Sequence, residues 1–203
     1  GLVTVGSSNK QTIGASIVTG DFDNNGFNEL IATYYTGKII KYNMVFNGSS
    51  TPDLVLDDTL YYSSGIGPGF LAAGGDVNGD GFEDLVFYSS ASGFTAVIVV
   101  QYGSPDGLSN YEFLFTTAKE YGTAYGSSFA PVGDINGDGK ADIVMSDSYF
   151  GKISVYSNNS TPGSFSAGNF VRSEIPTAPG PESTIAGDVD GDGKPEIMSG
   201  NPP

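Results

Sequence analysis

The chain has 203 residues, 38% of them hydrophobic and 12% aromatic, enough to bury a core, while 30 glycines and 11 prolines divide it into short segments. Eight basic against 23 acidic residues give a formal charge of -15, which repels nucleic acid and anionic membrane surfaces and attracts cations. With no histidine and no cysteine, the imidazole-dependent triads, His-ligated zinc and disulfide frameworks are excluded.

No apolar run approaches the roughly 20 residues of a membrane-spanning helix. Gly1 does not open a charged-then-apolar leader, so an exported form is expected to have lost its signal already.

Taken along the chain, Leu2 to Val5 is a candidate outer strand, and Ser16-Ile17-Val18-Thr19 leads into the phrase GDFDNNGFNEL, which starts at Gly20. The phrase recurs as GDVNGDGFEDL from Gly75, GDINGDGKADI from Gly133 and GDVDGDGKPEI from Gly187. Its first aspartates, Asp21, Asp76, Asp134 and Asp188, lie 55, 58 and 54 residues apart, a period that belongs to stacked or radial supersecondary units.

Each phrase is followed by a β-branched or aromatic run: Leu30 to Tyr34, Leu85 to Tyr88, Ile143 to Ser146 and Ile197 to Ser199. Such short runs bounded by glycine favour strands, so each phrase is expected to close a hairpin. Third strands are expected at Lys38 to Phe46, Thr95 to Tyr102 and Lys152 to Ser157, and fourth strands at Leu54 to Tyr62, Tyr111 to Thr117 and Phe170 to Glu174.

Four strands per unit make an all-β chain of antiparallel sheets with the arithmetic of a β-propeller blade. The units run approximately 12-65, 66-122, 123-178 and 179-203, about three and a half blades, with 1-11 as a closing outer strand. Completion by a longer parent chain or by further copies is favoured, and a compact four-bladed ring is the alternative.

Counting the first Asp as position one, oxygen-bearing side chains fall at positions one, three, five and nine, with glycine at six. The sets are Asp21, Asp23, Asn25 and Glu29; Asp76, Asn78, Asp80 and Asp84; Asp134, Asn136, Asp138 and Asp142; and Asp188, Asp190, Asp192 and Glu196. Alternate side chains of a curled loop can converge on one point, and a hard ion of calcium's size takes six to eight such oxygens.

Position seven would add a main-chain carbonyl, from Phe27, Phe82, Lys140 or Lys194. Position twelve holds Ala32, Phe87, Met145 or Ser199, and a strand rather than a helix follows, so the EF-hand pattern is excluded. Thirteen of the 23 acids lie in these sets, and four calcium ions, +8 in all, would bring -15 to -7. Magnesium suits such multidentate, flexible cages poorly. An isolated Asp-Gly such as Ser104-Pro105-Asp106-Gly107 reads as an ordinary turn.

These phrases and their flanking strands resemble the FG-GAP repeats of integrin α-subunit propellers and the related VCBS repeats, over Ile13 to Ser199. Phe94 to Ser104 is similar to that family's third strand and its turn, and Gly151 to Tyr156 matches the same element. The resemblance implies a propeller with calcium at its rim, a role in adhesion or glycan binding, and an extracellular or cell-surface location. It departs from the family in having few repeats and no clear Phe-Gly at most repeat starts.

The expected function is therefore an extracellular calcium-stabilised module that binds protein or glycan without catalysis. The alternatives are a structural subunit of a surface layer or filament, and a polysaccharide lyase or hydrolase using Asp, Glu or Tyr. Tyr34, Tyr35, Tyr61, Tyr62, Tyr121 and Tyr125 are candidates for a stacking surface or for packing between blades. Sequons at Asn47, Asn158 and Asn159 are expected in outer turns, and Arg172, the single arginine, stands near Glu174.

Overall fold

The computed structural model describes residues 13-34, 38-46, 48, 53-61, 67-73, 75-91, 95-109, 111-115, 129-147, 151-161, 165-177 and 183-200. The candidate strand at Leu2 to Val5 lies outside these, as do Tyr35, Tyr62, Tyr121, Tyr125, Asn47 and the side chains of Tyr34 and Tyr61.

Three four-stranded antiparallel sheets and one hairpin follow each other along the chain, with strands in simple up-and-down order. The first sheet holds β1 (Ile13–Gly20), β2 (Glu29–Tyr34), β3 (Lys38–Val45) and β4 (Asp53–Tyr61). The second holds β5 (Gly67–Ala73), β6 (Leu85–Ala91), β7 (Thr95–Gln101) and β8 (Tyr111–Phe115). The third holds β9 (Phe129–Gly133), β10 (Asp142–Asp147), β11 (Lys152–Asn158) and β12 (Phe170–Pro176), and the hairpin holds β13 (Ser183–Gly187) and β14 (Glu196–Gly200). From Ser16 onward, each strand expected from the sequence has its counterpart among the described residues. β12 runs on to Pro176, because its ladder with β11 pairs Lys152 with Pro176.

The sheets stack face to face, and the middle one shows why its strands read as unbroken apolar runs. Successive strand residues point to opposite faces. Leu85 and Phe87 of β6, with Val99 of β7, join Phe22, Ile31 and Ile39 of the first repeat in one buried cluster. Val86, Ile98 and Val100 join Ala141, Ile143 and Met145 of the third. A sheet buried on both faces has no polar side to alternate with.

The third sheet repeats the arrangement, as Val144, Ile153 and Val155 pack with Ile135 and with Ile197 of the final hairpin. Among the described residues, the stack is not seen to close into a ring.

The residue at position two of the first three phrases ties the stack together. Phe22 enters the cluster shared with the second sheet and Val77 the cluster shared with the third, while Ile135 packs beside Ile197. Phe22 is completely buried, whereas Val189, at the same position in the last phrase, is 64% exposed. Ile185 and Met198, paired across the final hairpin, are exposed beside it.

Candidate metal centres

Each phrase is a tight loop joining the first two strands of its sheet, and its backbone explains the glycines. Gly26, Gly81, Gly139 and Gly193 at position six have φ between +86° and +94°, in the left-handed region where a Cβ is strained. Position four is also left-handed, at Gly79, Gly137 and Gly191, and in the first loop at Asn24 with φ +56°. Sequence reasoning passed over position four, although glycine in three loops and asparagine in the first is the signature of that conformation.

The loop amides then orient the acids. The carboxylate at position one accepts the N–H of position six through Oδ2 in all four loops, at 2.7 to 2.9 Å. Its Oδ1 accepts the N–H of Asn25 in the first loop, of Gly79 and Asp80 in the second, of Gly137 and Asp138 in the third and of Gly191 in the fourth. Position three accepts from the amide of position five, and position five from the amide of position seven, in every loop.

Position nine reaches back across the loop to the amide of position two: Glu29 to Phe22, Asp84 to Val77, Asp142 to Ile135 and Glu196 to Val189. The side chains are thereby aimed by the loop's own amides.

In two loops the aiming brings three carboxylates together. Asp21, Asp23 and Glu29 each offer an oxygen within 4.8 Å of the other two, and Asp188, Asp190 and Glu196 do the same. In the second and third loops asparagine occupies position three, Asn78 and Asn136, within the same framework of amide bonds. Asp192, at position five of the fourth loop, stands outside its convergent trio. Of the position-seven residues expected to offer a carbonyl, Phe27 and Lys194 are exposed, and Phe82 and Lys140 are half-buried.

Burial sharpens the electrostatics at position nine. Glu29, Asp84 and Asp142 are buried at their loop ends. Desolvation pushes Asp84 up to about 7 against three backbone hydrogen bonds that favour its ionised form. Burial likewise raises Asp142, against the amide of Asn158, and raises Glu29, against the amide of Phe22 and the ammonium of Lys41. An all-oxygen donor set, like-charged and partly withdrawn from water, is the chemistry that a hard cation fits.

The second oxygen of position nine extends the loop into the third strand. Asp84 Oδ1 accepts Gly103 N–H at 3.0 Å, and Asp142 Oδ1 accepts Asn158 N–H at 2.8 Å. From there the chain contacts the preceding repeat. Ser104 N–H donates to the Phe22 carbonyl at 3.0 Å, and Asn158 Nδ2 donates to the Val77 carbonyl at 2.7 Å and to Ala141 at 3.1 Å. The sequence marks Asn158 only as a sequon and Ser104 only as part of a turn, neither as a junction between repeats.

This overturns one expectation. Asn158 is buried to 1% exposure with its amide nitrogen doubly engaged, so it is unfit as a glycan acceptor. Asn159, the next sequon, is exposed. The isolated Ser104–Gly107 segment is an ordinary turn, closed by Gly107 N–H to the Ser104 carbonyl at 2.8 Å. Arg172 lies on β12, the edge strand of the third sheet, pairing with Glu174 at 2.7 Å and stacking over Tyr156 at 5.8 Å, and Lys152 shares the same carboxylate.

The FG-GAP-like repeat is matched twice, over residues 76–145 and 134–199, together more than half of the chain. The chain belongs to the FG-GAP-like repeat family. Integrin alpha-IIb of Mus musculus is 29% identical over 143 residues, which cover 62% of this chain and 14% of the relative. The chain therefore matches only a small part of that relative's length. The first FG-GAP-like loop, from Gly20, lies before the matched ranges, yet it has the same amide cradle and the same sheet order as the others.

Proposed function

We propose that this chain is an extracellular, calcium-binding propeller module that recognises protein or glycan and catalyses no reaction. The observation that carries the reading is the convergence of Asp21, Asp23 and Glu29, and of Asp188, Asp190 and Glu196, each at the corner of a hairpin in a series of stacked sheets. Calcium would be held by the oxygens at positions one, three, five and nine with the position-seven carbonyl, one ion in each loop. Bound there, it would neutralise the clustered carboxylates and fasten each hairpin.

The family and the integrin relative support a binding or adhesion role on a surface outside the cell, where calcium is abundant enough to fill sites with a Kd as weak as roughly 0.1 to 1 mM. A calcium titration by calorimetry, paired with melting curves in calcium and in chelator, tests the reading. Saturable binding with a rise in melting temperature is expected. Absence of both would remove calcium from the proposal.

A structural subunit of a larger surface assembly is the second reading. It is favoured by the exposed Val189 and Met198 on the last hairpin, whose counterparts Phe22 and Ile31 in the first repeat and Val77 and Val86 in the second are buried against the next sheet. Sedimentation in calcium separates the two: a defined multimer supports the assembly, and a monomer over a wide concentration range opposes it.

A further inference from the structure

We propose that Glu83 couples the first two metal loops, so that an ion in the second loop strengthens binding in the first. The inference rests on the reading of these loops as calcium sites. Glu83 belongs to the second loop, at position eight, between Phe82 and the buried Asp84. Its side chain nevertheless serves the first loop, where Oε2 accepts the N–H of Asp21 at 2.9 Å.

The contact is closely fitted. A Cβ added to Gly20, the residue before Asp21, would meet Glu83 Oε2 at 2.6 Å and the Phe22 ring at 2.8 Å. The main chain of Glu83 is confined as well, since a Cβ added to Gly103 would run into its carbonyl oxygen. Ser104 N–H holds the Phe22 carbonyl from the same sheet. The segment 20-22 is therefore gripped from the second repeat on both sides, and Asp21 within it is one of the three convergent acids.

Two effects of Glu83 oppose each other. Its negative charge near Asp21 raises the cost of the metal-free cluster, and its hydrogen bond fixes the peptide that carries Asp21. An ion in the second loop would draw on positions seven and nine, the immediate neighbours of Glu83, and so hold that side chain in register. The first loop then loses less freedom on binding its own ion, which is positive coupling.

The other repeats lack the device. Position eight is Asn28, Ala141 or Pro195 elsewhere, and the second and third repeats are joined instead by Asn158 to the carbonyl of Val77 at position two.

The test follows the amide signals of Gly26 and Gly81 by NMR during calcium titration of the full chain, because each donates to the position-one carboxylate of its own loop. Disabling the second loop with Asp76→Ala and Asp80→Ala is expected to weaken first-loop binding by about tenfold, within the usual span of coupling between sites. With Glu83→Ala as background, the same disabling should change first-loop affinity less than twofold, while Glu83→Gln, which keeps a carbonyl acceptor for Asp21 N–H, should restore most of the coupling.

First-loop affinity indifferent to the second loop in the parent protein, or coupling that survives Glu83→Ala, overturns the proposal. If neither glycine signal responds to calcium, the calcium reading itself fails. Should Glu83→Ala not fold, the parent and Glu83→Gln arms still decide.

Discussion

Asp84 and Gly103 are joined across their sheet by a 3.0 Å hydrogen bond from the glycine amide to Oδ1, while Oδ2 of the same carboxylate accepts Val77 N–H at 2.8 Å. One buried acid thus closes the loop on one side and anchors the end of the third strand on the other. Asp142 makes the same pair of bonds to Asn158 and Ile135.

Metal-free stability should fall as pH rises. Burial lifts Asp84 from 3.8 to about 7, and lifts Asp142 and Glu29 in the same direction. A carboxyl whose folded pKa exceeds its unfolded value stabilises the fold below the unfolded pKa, and that contribution is lost as pH climbs through the folded pKa. In chelator the melting temperature should therefore drop by several degrees between about pH 4.5 and 7.5, each kcal/mol being worth about 2–4 °C in a chain this size. Calcium favours the ionised form, so the calcium-induced rise in melting temperature should be larger at pH 7.5 than at pH 5. Melting curves that rise with pH in chelator would contradict the burial argument.

Gly103 is expected to be intolerant of any side chain. A Cβ there would meet the carbonyl oxygens of Glu83 and Phe22, the latter at 2.8 Å, and Phe82 Cβ at 2.8 Å; two of these three atoms are main chain and cannot swing away. Gly103→Ala should cost about 1–3 kcal/mol or more by overpacking. Gly133→Ala, where a Cβ meets nothing within 4 Å, should stay within about 0.5 kcal/mol of the parent. Denaturant midpoints of the two variants make the comparison. Equal effects would show that the junction relaxes freely.

Much of this was legible in the sequence, and the parts that were not share a cause. The acids at positions one, three, five and nine are visible because loop geometry dictates their spacing, and Leu85-Val86-Phe87 announces a strand, while its cover on both faces comes from the stacking of sheets. Asn158 reads as a sequon because the triplet is local information; its burial against the Val77 carbonyl is decided by a residue 81 positions away. Glu83 carries no signal of its own in the sequence for the same reason, since only the stacking of sheets delivers it to Asp21. Spacing encodes what a loop does within itself, and contacts between repeats are written in residues with no local oddity.

Removing one ninth-position acid should remove one site. Glu29 contributes an oxygen to the first convergent trio and accepts Phe22 N–H at 3.0 Å. Glu29→Gln keeps an acceptor for that amide while deleting the charge. Calorimetry should find one fewer calcium bound per chain, and the loss of melting temperature should be larger in calcium than in chelator. A deficit of equal size in both buffers would mark Glu29 as a structural acid only.

Position two offers the comparison that separates a closed interior from an open end. Phe22 is completely buried between the first and second repeats, so Phe22→Ala should cost about 3–5 kcal/mol, a transfer loss with a cavity added. Val189 occupies the same place in the fourth repeat but is 64% exposed, and Val189→Ala in the isolated monomer should change stability by no more than about 0.5 kcal/mol. If the assembled form exists, Val189→Asp should weaken it while leaving the monomer's melting temperature unchanged, because burying that charge against another sheet is costly only when the sheet is there. Equilibrium unfolding of the monomer and sedimentation of the variant read the two effects separately. A large monomer penalty at Val189 would mean that the last hairpin is already covered within the chain.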